Sequence, residues 1–240
     1  MTETELDRIR AAYQARDAAT TTPYRWDNPG YVSYMQLVER ELLKAFSDAG
    51  LQLDGTRVLD VGAGSGYFLH RLTEYGAAEG HGIDLMKDRV AAGQRRYPNL
   101  HLQVGSATEL PYADGEFDLV AQFTCLSSIL DDDVRLAVAN EMRRVAAGGW
   151  VLSFDMRGLR RPGSRRKPAA DTPTVPLDEA ELRRLFGEPA LLRKTALAFE
   201  LALLAGRHTF LATALATLPP LRSHLLGFWR ANGHPSLGTR

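Results

Sequence analysis

A glycine-rich turn at residues 62–66 constrains the fold more than any other feature of the chain. It follows a short apolar run, residues 58–61, which contains the single acid Asp60, and it leads into a segment with helical spacing. Glycine is required where the backbone takes a positive φ angle or approaches a ligand with no side chain in between. Three alternating glycines between a buried strand and a helix therefore predict a loop that wraps a small molecule at the N-terminus of that helix.

The spacing of these glycines separates two classes of ligand. A turn that cradles the pyrophosphate of a dinucleotide usually reads G-x-G-x-x-G. Residues 62–66 read G-x-G-x-G, and Asp60 stands two positions before the first glycine. A carboxylate beside the loop would repel a pyrophosphate, whereas it suits a cationic group, directly or through water. The turn thus favours a ligand with a cationic end.

The segments that follow repeat the pattern of a strand ending near a polar residue. Residues 80–84 read as a second strand that ends in Asp84, where an acid can accept hydrogen bonds from both hydroxyls of a ribose. Gly105, Ser106 and Ala107 follow a third strand at 100–104. The run Leu-Pro-x-x-Asp-Gly-x-Phe-Asp-Leu-Val at 110–120 and the double glycine within 145–155 lead into a fourth and a fifth strand.

In order and spacing, residues 56–155 resemble the core of the class I S-adenosylmethionine-dependent methyltransferases, especially the small-molecule enzymes of types 11 and 25. The resemblance implies S-adenosylmethionine as the cofactor. It also implies an α/β fold with a Rossmann-like, seven-stranded, mostly parallel sheet, an antiparallel last strand, and helices on both faces. The positions that match the family's motifs, and are therefore expected to bind the cofactor, are Asp60, Gly62, Ala63, Gly64, Asp84, Leu85, Ser106, Ala107 and Gln122.

Three positions depart from the family pattern. Ser106 stands where an aspartate is common near the adenine amino group, and a hydroxyl accepts a weaker hydrogen bond than a carboxylate. Ala147 replaces the proline that usually precedes the double glycine. Residues 122–132 carry Gln and Ser-Ser in place of the His-His pair found in many relatives, so no base can be transferred to that segment by analogy.

Hydrophobic spacing divides the chain into two parts. Residues 3–16 predict a polar helix, and 31–49 have helical apolar spacing that stops at Gly50. Strand and helix patterns alternate beyond that glycine, which argues for a parallel sheet with right-handed crossovers. We therefore expect an N-terminal helical lid, residues 1–50, and a methyltransferase domain, residues 51–240.

The C-terminal third changes character. Residues 157–176 are rich in Arg, Pro and Gly without apolar periodicity, which predicts a long loop. Its basic residues form either a solvated surface or a site for a carboxylate- or phosphate-bearing acceptor. Further on we expect a helix at 177–187, a sixth strand at 192–201, a helix at 208–218 and the last strand at 222–230.

Composition excludes several classes of protein. The chain has 29 basic and 29 acidic residues, and a net charge of zero argues against a nucleic-acid or anionic-membrane surface. The single cysteine, Cys125, excludes an intramolecular disulfide and a cysteine-cluster metal site. Residues 1–17 lack the apolar core of a signal peptide, and the most apolar tract, 196–205, is too short to span a membrane. We expect a cytoplasmic protein that binds a small-molecule acceptor.

The reaction limits which catalytic residues a sequence can reveal. Methyl transfer from a sulfonium is an in-line displacement that depends on orientation, and a general base is needed only when the nucleophile loses a proton during attack. The candidate bases are Asp155 at the end of the fifth strand, His208 after the sixth strand, and His224. A metal-dependent site would need an Asp-Asn pair where Asp155-Met156 stands, so we expect no metal.

Aromatic residues are frequent in the predicted lid. They are Tyr13, Tyr24, Trp26, Tyr31 and Tyr34. Aromatic faces attract cations, so these rings can close over a sulfonium. Alternatively, they pin the N-terminal helices to the core. The sequence leaves both interpretations open.

By analogy with the family, we expect a tailoring step on a natural product or secondary metabolite. One alternative is methylation of a lipid or sugar-phosphate intermediate, for which the basic loop is the hint. A second is a binding module without turnover. A third, an NAD(P)-dependent reductase, lacks support because none of the eight tyrosines has a lysine four residues later.

Overall fold

Seven strands form one sheet in the part of the chain that the structure, a computed structural model, describes: residues 3–18, 26–158, 174–205 and 208–231. The strands are β1 Arg57–Val61, β2 Glu79–Asp84, β3 His101–Val104, β4 Leu119–Phe123, β5 Trp150–Met156, β6 Leu191–Leu197 and β7 Arg222–Arg230. Their order across the sheet is β3-β2-β1-β4-β5-β7-β6.

The helices of these residues connect the strands and cover the sheet. They are α1 Glu3–Ala18, α2 Pro29–Ala49, α3 Tyr67–Glu74, α4 Lys87–Arg96, α5 Asp132–Val145, α6 Glu179–Phe186, α7 Phe199–Ala205 and α8 Thr209–Ala216. Short 3₁₀ helices lie at Leu126–Ser128 and Pro219–Leu221.

Strands β1 to β5 pair in parallel, and β7 runs antiparallel between β5 and β6. The predicted seven-stranded, Rossmann-like sheet with an antiparallel last strand is therefore confirmed. Because β7 is antiparallel, its first residues lie beside the last residues of β5: His224 is opposite Met156. The start of β7 thus reaches the carboxyl edge of the parallel strands, where ligands bind in folds of this kind.

The sheet separates two hydrophobic cores, because successive side chains of a strand point to opposite faces. In β4, Leu119 and Ala121 belong to one core and Val120 to the other. The first core contains buried residues of α2, α3, α4, α7 and α8, and the second contains residues of α1, α5 and α6. Helices therefore lie on both faces, as predicted.

Local capping explains where α2 begins and ends. The Asn28 side chain accepts a hydrogen bond from the Gly30 amide, and Gly50 ends the helix in the left-handed conformation at φ 66°. Gly30 also permits close packing against α7, because a Cβ there would lie 2.7 Å from the Leu203 Cα. The N-terminal end of α2 is thus tied to the helix that follows β6.

The predicted sixth strand, 192–201, is wrong in its second half. The strand ends at Leu197, and residues from Phe199 onward form α7. Ala196 has φ 53°, which interrupts the ladder because only the residues on either side of it pair with β7. Residues 199–205 are mostly leucine and alanine, and these residues favour a helix once the strand is broken.

The N-cap of α5 gives a stability prediction. The Asp131 carboxylate accepts hydrogen bonds from the Asp133 and Val134 amides at 2.9 and 3.2 Å. We expect Asp131→Ala to lower the free energy of unfolding by about 1 kcal/mol, measured by urea denaturation. Asp133→Ala is the matched control, because it removes only a favourable charge near the helix dipole and should cost about 0.3 kcal/mol. Equal losses in the two variants would contradict the capping role.

Candidate active site

The glycine turn has the geometry that its sequence predicts. Gly62, Gly64 and Gly66 have φ angles of 78°, 55° and 80°. The Gly62 amide donates a hydrogen bond to the Ile83 carbonyl at 2.8 Å, and a Cβ at Gly62 would lie 2.7 Å from the Cys125 Sγ. Around Gly64, by contrast, a Cβ would meet no atom within 4 Å. The turn is therefore packed on one side and borders open space on the other.

Asp84 links the glycine turn to the end of β2. Its Oδ2 accepts a hydrogen bond from the Gly64 amide and its Oδ1 accepts one from the Met86 amide, each at 2.8 Å. Burial raises the pKa of Asp84, and these two hydrogen bonds act in the opposite direction. Because each carboxylate oxygen has more than one lone pair, Asp84 can still accept from two neighbouring hydroxyls of a ligand.

A cavity of about 220 Å³ lies beside Asp84. Its wall is formed by the ends of β2 and β3, the residues after β4, and the inner face of α1. Ser106 borders it and bonds Thr108 through their hydroxyls at 2.8 Å. The predicted cofactor residues that line this first cavity are Gly62, Asp84, Leu85, Ser106 and Ala107; Asp60, Ala63, Gly64 and Gln122 lie outside its lining.

Asp60 is a buried carboxyl group behind the glycine turn, with 2% of its surface exposed. Burial, with a smaller effect of the Asp84 charge, raises the pKa of Asp60 to about 8. Its Oδ1 has no hydrogen-bond partner among the described residues. A buried polar atom of this kind is normally satisfied by a partner. A role of Asp60 at the amino-acid end of a cationic ligand, directly or through water, stays a prediction.

Gln122 and Asp155 hold the segment that follows β4. Gln122 Nε2 donates to the Ser153 Oγ at 2.6 Å, and its Oε1 accepts from the Cys125 amide at 2.8 Å. Asp155 Oδ2 accepts from the Ser127 amide at 3.1 Å. Both side chains are fully buried and line neither of the cavities described here. They position backbone at the site, and proton transfer by Asp155 stays a prediction.

A second cavity, of about 820 Å³, adjoins the first. Its lining is largely aromatic: Tyr13, Trp26, Tyr31, Tyr34, Tyr67, Phe68, Tyr97, Phe154 and Phe199. Its charged lining residues are balanced, with Arg16, Arg89 and Arg96 against Asp17, Asp88 and Glu200. The volume lies in the range of small-molecule sites, and the aromatic lining suits a large, uncharged organic molecule.

Five residues line both cavities: Tyr13, Arg16, Arg89, Thr124 and Ser128. The Tyr13 hydroxyl lies 2.7 Å from the Ser128 Oγ, and the Arg89 guanidinium lies 4.5 Å from the centre of the Tyr13 ring. Thr124 has φ 58°, which is rare for a β-branched residue and recurs where function requires a strained backbone. These five residues form the boundary between the two cavities.

The aromatic residues of the predicted lid line the cavities and also pack against the core. Trp26, Tyr31 and Tyr34 line the second cavity, and Tyr13 lines both. At the same time the Tyr34 ring packs edge-on against Phe199 at 5.2 Å, which pins α2 to α7. Contact with a sulfonium stays a prediction. Tyr24 lies outside the described residues.

The fold places the two candidate histidines, His208 and His224, differently with respect to the cavities. His208 is exposed at the start of α8 and lines neither cavity, so its catalytic role stays a prediction. His224 lines the second cavity. Sequence reasoning missed Arg89, Thr124 and Ser128, because no local pattern marks residues that meet only through the fold. Of the basic loop, Arg160, Arg161, Arg165, Arg166 and Lys167 lie outside the described residues.

Neither a metal-binding cluster nor a membrane-spanning helix occurs in residues 3–18, 26–158, 174–205 and 208–231. No group of three or more His, Cys, Asp or Glu side chains in these ranges is arranged to hold a metal ion. None of the helices in the same ranges has both the length and the hydropathy needed to cross a bilayer.

The core of the chain matches a known protein family. The family described as "Methyltransferase domain" matches residues 58–149. A demethylmenaquinone methyltransferase of Beutenbergia cavernae is 36% identical over 115 residues, which are 48% of this chain and 46% of that protein. Norajmaline N-methyltransferase of Rauvolfia serpentina is 34% identical over 121 residues, 46% of this chain and 40% of the relative. The chain thus spans about half the length of the curated relatives that it matches.

A solved structure matches over almost the whole chain. The [4+2]-cyclase SpnF has a TM-score of 0.62 and covers 96% of this chain, while this chain covers 94% of SpnF. The two sequences are 18% identical, so the similarity concerns the fold.

Asp84 provides a test of the cofactor cavity. We expect Asp84→Ala to raise the Kd for S-adenosylhomocysteine at least about tenfold, since hydrogen bonds to a charged group contribute about 1.5–3 kcal/mol. Calorimetric titration measures this change. Asp118→Ala is the matched control: that carboxylate also accepts from a backbone amide, Arg57 at 2.9 Å, but it lies at the opposite edge of the sheet. Weaker binding in the control alone would contradict the assignment.

Asp60 predicts a pH dependence of stability. Its folded pKa, about 8, lies above the unfolded value of about 3.9, so the protonated carboxyl favours the folded state. This contribution is complete below about pH 4 and is lost as the pH rises to about 8. Without ligand, the stability of Asp60→Asn relative to wild type should therefore increase from pH 5 to 8, as measured by urea denaturation. A difference that does not change with pH would be inconsistent with a protonated Asp60.

Proposed function

We propose that the protein is a class I methyltransferase that transfers the methyl group of S-adenosylmethionine to a small-molecule acceptor. The match of residues 58–149 to the family described as "Methyltransferase domain" supports this proposal. The cofactor supplies a methyl group that is already activated on a sulfonium. The observation that carries the proposal is the pair of adjoining cavities with five shared residues. One cavity is built around Asp84 and the other is lined by aromatic rings, so donor and acceptor can be held next to each other.

In this proposal the residues at the first cavity contact different parts of the cofactor. Asp84 accepts from the ribose hydroxyls, and the backbone of the glycine turn borders the amino-acid end. Asp60 stabilises the ammonium, directly or through water. Leu85, Ser106 and Ala107 border the adenine. Gln122 acts through the backbone that it holds, the Cys125 and Leu126 amides.

Residues 1–50 serve as the lid. Helix α1 covers the first cavity and is bonded to the segment after β4: Glu5 Oε1 accepts from the Leu130 amide at 2.7 Å, and the Arg8 guanidinium donates to the Ser128 carbonyl at 2.7 Å. Helix α2 lines the second cavity with Tyr31 and Tyr34. A lid that touches both cavities excludes water from the transferred group, so its position supports a division at residue 50.

The acceptor in this proposal is a ring-bearing metabolite without net charge, such as a natural product at a tailoring step. The size, aromatic lining and balanced charges of the second cavity support this class. Two of the matching relatives are named for demethylmenaquinone and norajmaline, and a third is named for ribosomal protein L11. A lipid or sugar-phosphate acceptor has less support, because the described lining holds no excess of basic residues.

The test is product formation with isotopically labelled S-adenosylmethionine and a panel of aromatic alcohols, amines and acids. Mass spectrometry should detect a methylated product and S-adenosylhomocysteine in equal amounts. Binding of S-adenosylhomocysteine without any methylated product would instead indicate a binding module, or a protein that uses the fold for another reaction, as the name of the [4+2]-cyclase SpnF illustrates. Stabilisation by NADPH alone would indicate a reductase.

Trp26 tests the assignment of the second cavity to the acceptor. Its ring lies 5.2 Å from Tyr31 and 4.9 Å from Tyr67, and its exposed fraction of 44% places it near solvent. We expect Trp26→Ala to raise the acceptor KM about three- to tenfold, since one aromatic contact contributes about 0.5–1.5 kcal/mol. The Kd for S-adenosylhomocysteine should stay the same.

The control for Trp26 is Phe210→Ala, because this ring is 87% exposed on α8 and lines neither cavity. Its KM should equal that of the wild type. An effect of Trp26→Ala on cofactor affinity but not on acceptor KM would reassign the cavity.

A further inference from the structure

We infer that His224 is the base that takes the proton from a hydroxyl group of the acceptor, so that the acceptor is an aromatic alcohol or enol and the product is a methyl ether. This inference rests on the proposed methyl transfer and specifies its substrate class. His224 lies at the carboxyl edge of the sheet, opposite Met156 in β5, and lines the second cavity. Only 7% of its surface is exposed, so His224 is a buried residue at the wall of this cavity.

Ser223 is the hydrogen-bond partner of the His224 Nδ1. Its Oγ lies 2.9 Å from that nitrogen and 3.5 Å from the Leu197 carbonyl. In the inferred arrangement the hydroxyl donates to the carbonyl and the Oγ accepts from an Nδ1–H. The Nε2 is then left with its lone pair. It faces the Tyr34 hydroxyl at 3.4 Å, a long contact that a better-placed acceptor hydroxyl can displace.

The surroundings of His224 keep the imidazole neutral. The Phe154 ring stacks on it at 4.7 Å with an angle of 6° between the planes. Burial lowers the pKa of His224 to about 4, and burial is the one cause of this shift. The ring is therefore uncharged at physiological pH and available to accept a proton.

Ionisable groups on the neighbouring elements do not replace His224 in this role. The Asp155 carboxylate is engaged by the Ser127 and Met156 amides. Glu41 of α2 accepts from the Thr195 Oγ, and Thr195 lies opposite His224 in β6. Among the described residues that line the second cavity, α2 and the start of α7 further contribute the Tyr31 and Tyr34 phenols and the exposed Glu200.

A base that lines the acceptor cavity matters to a hydroxyl acceptor. As the acceptor oxygen forms its bond to the methyl carbon, it becomes positively charged, and its proton passes readily even to a weak base. A neutral amine attacks through its lone pair and loses no proton during attack, so a base beside it would not change the rate. For attack by a hydroxyl, a general base typically contributes 10²–10⁴-fold, and a base of lowered pKa lies toward the lower end of that range.

The acceptor oxygen bonds to the methyl carbon while the carbon–sulfur bond breaks, and the electron pair of that bond stays on sulfur. The hydroxyl proton moves to the Nε2 of His224. The products are the methyl ether, S-adenosylhomocysteine and an imidazolium that returns its proton to solvent.

The tautomer is measured first, by ¹⁵N NMR of histidine-labelled full-length protein with S-adenosylhomocysteine. We expect a neutral His224 with its proton on Nδ1 from pH 8 to 5.5. Ser223→Ala should mix the two tautomers, and Ser223→Thr, which keeps the hydroxyl, should restore the wild-type spectrum. A proton on Nε2, or an imidazolium at pH 7, would overturn the inference.

Turnover is then compared between 2-naphthol, 3-hydroxyflavone and the matched amine 2-aminonaphthalene. With a hydroxyl probe, His224→Gln should lower kcat at pH 7 at least about 100-fold while the Kd for S-adenosylhomocysteine stays within about twofold. The rate of the variant should then rise about tenfold per pH unit up to the pKa of the probe, because only the ionised probe reacts. The wild-type rate should stay flat between pH 6 and 8.

The matched control is His101→Gln, since His101 is exposed at the start of β3 and lines neither cavity. Its activity should equal that of the wild type. Methylation of the amine alone, or the same pH profile in wild type and His224→Gln, would overturn the role of His224 while leaving the proposed methyl transfer intact. If no probe of either class and no member of the wider panel is methylated, the proposed function itself fails.

Discussion

The hydrogen bond from the Gly64 amide to the Asp84 carboxylate joins the two structural elements on which the cofactor side of the site depends. It connects the turn after β1 to the end of β2, and these strands are parallel neighbours in the sheet. The bond is possible because glycines allow the turn to take positive φ angles and to lie against Cys125. The same carboxylate that stabilises the turn therefore faces the first cavity and remains able to bind a ligand.

A second set of buried polar groups organises the segment after β4. Gln122 and Asp155 come from neighbouring strands, and both accept hydrogen bonds from backbone amides of the segment after β4. Burying such groups is unfavourable unless they are bonded, so they hold that segment in one conformation. Thr124 keeps its left-handed backbone within this frame. The two cavities meet at this segment because the two hydrogen-bonded sets lie at the same edge of the sheet.

Local patterns were sufficient for most of the parallel core. The strands around the glycine turn, the cap at Asp131 and the stop at Gly50 all depend on residues that are close in the chain. The predicted end of the sixth strand was wrong. A strand interrupted at Ala196 has nearly the same composition as a continuous apolar strand, so the sequence does not distinguish them. His208 and His224 could not be ranked from the sequence, since one begins a predicted helix, the other lies in a predicted strand, and neither position shows which side chain meets a cavity. His224 lines the second cavity because the antiparallel direction of β7 brings its first residues to the carboxyl edge of the sheet.

The order of residues along the chain was enough to indicate the fold and the kind of ligand held by the glycine turn, because backbone conformation and strand periodicity are local properties. The boundary between the cavities depends instead on α1, α4 and the segment after β4, which lie far apart in the chain. Burial likewise sets the protonation of Asp60 and His224, and burial is a property of everything that packs around a group. Only the tertiary structure therefore decides which side chains face each cavity and in which charge state.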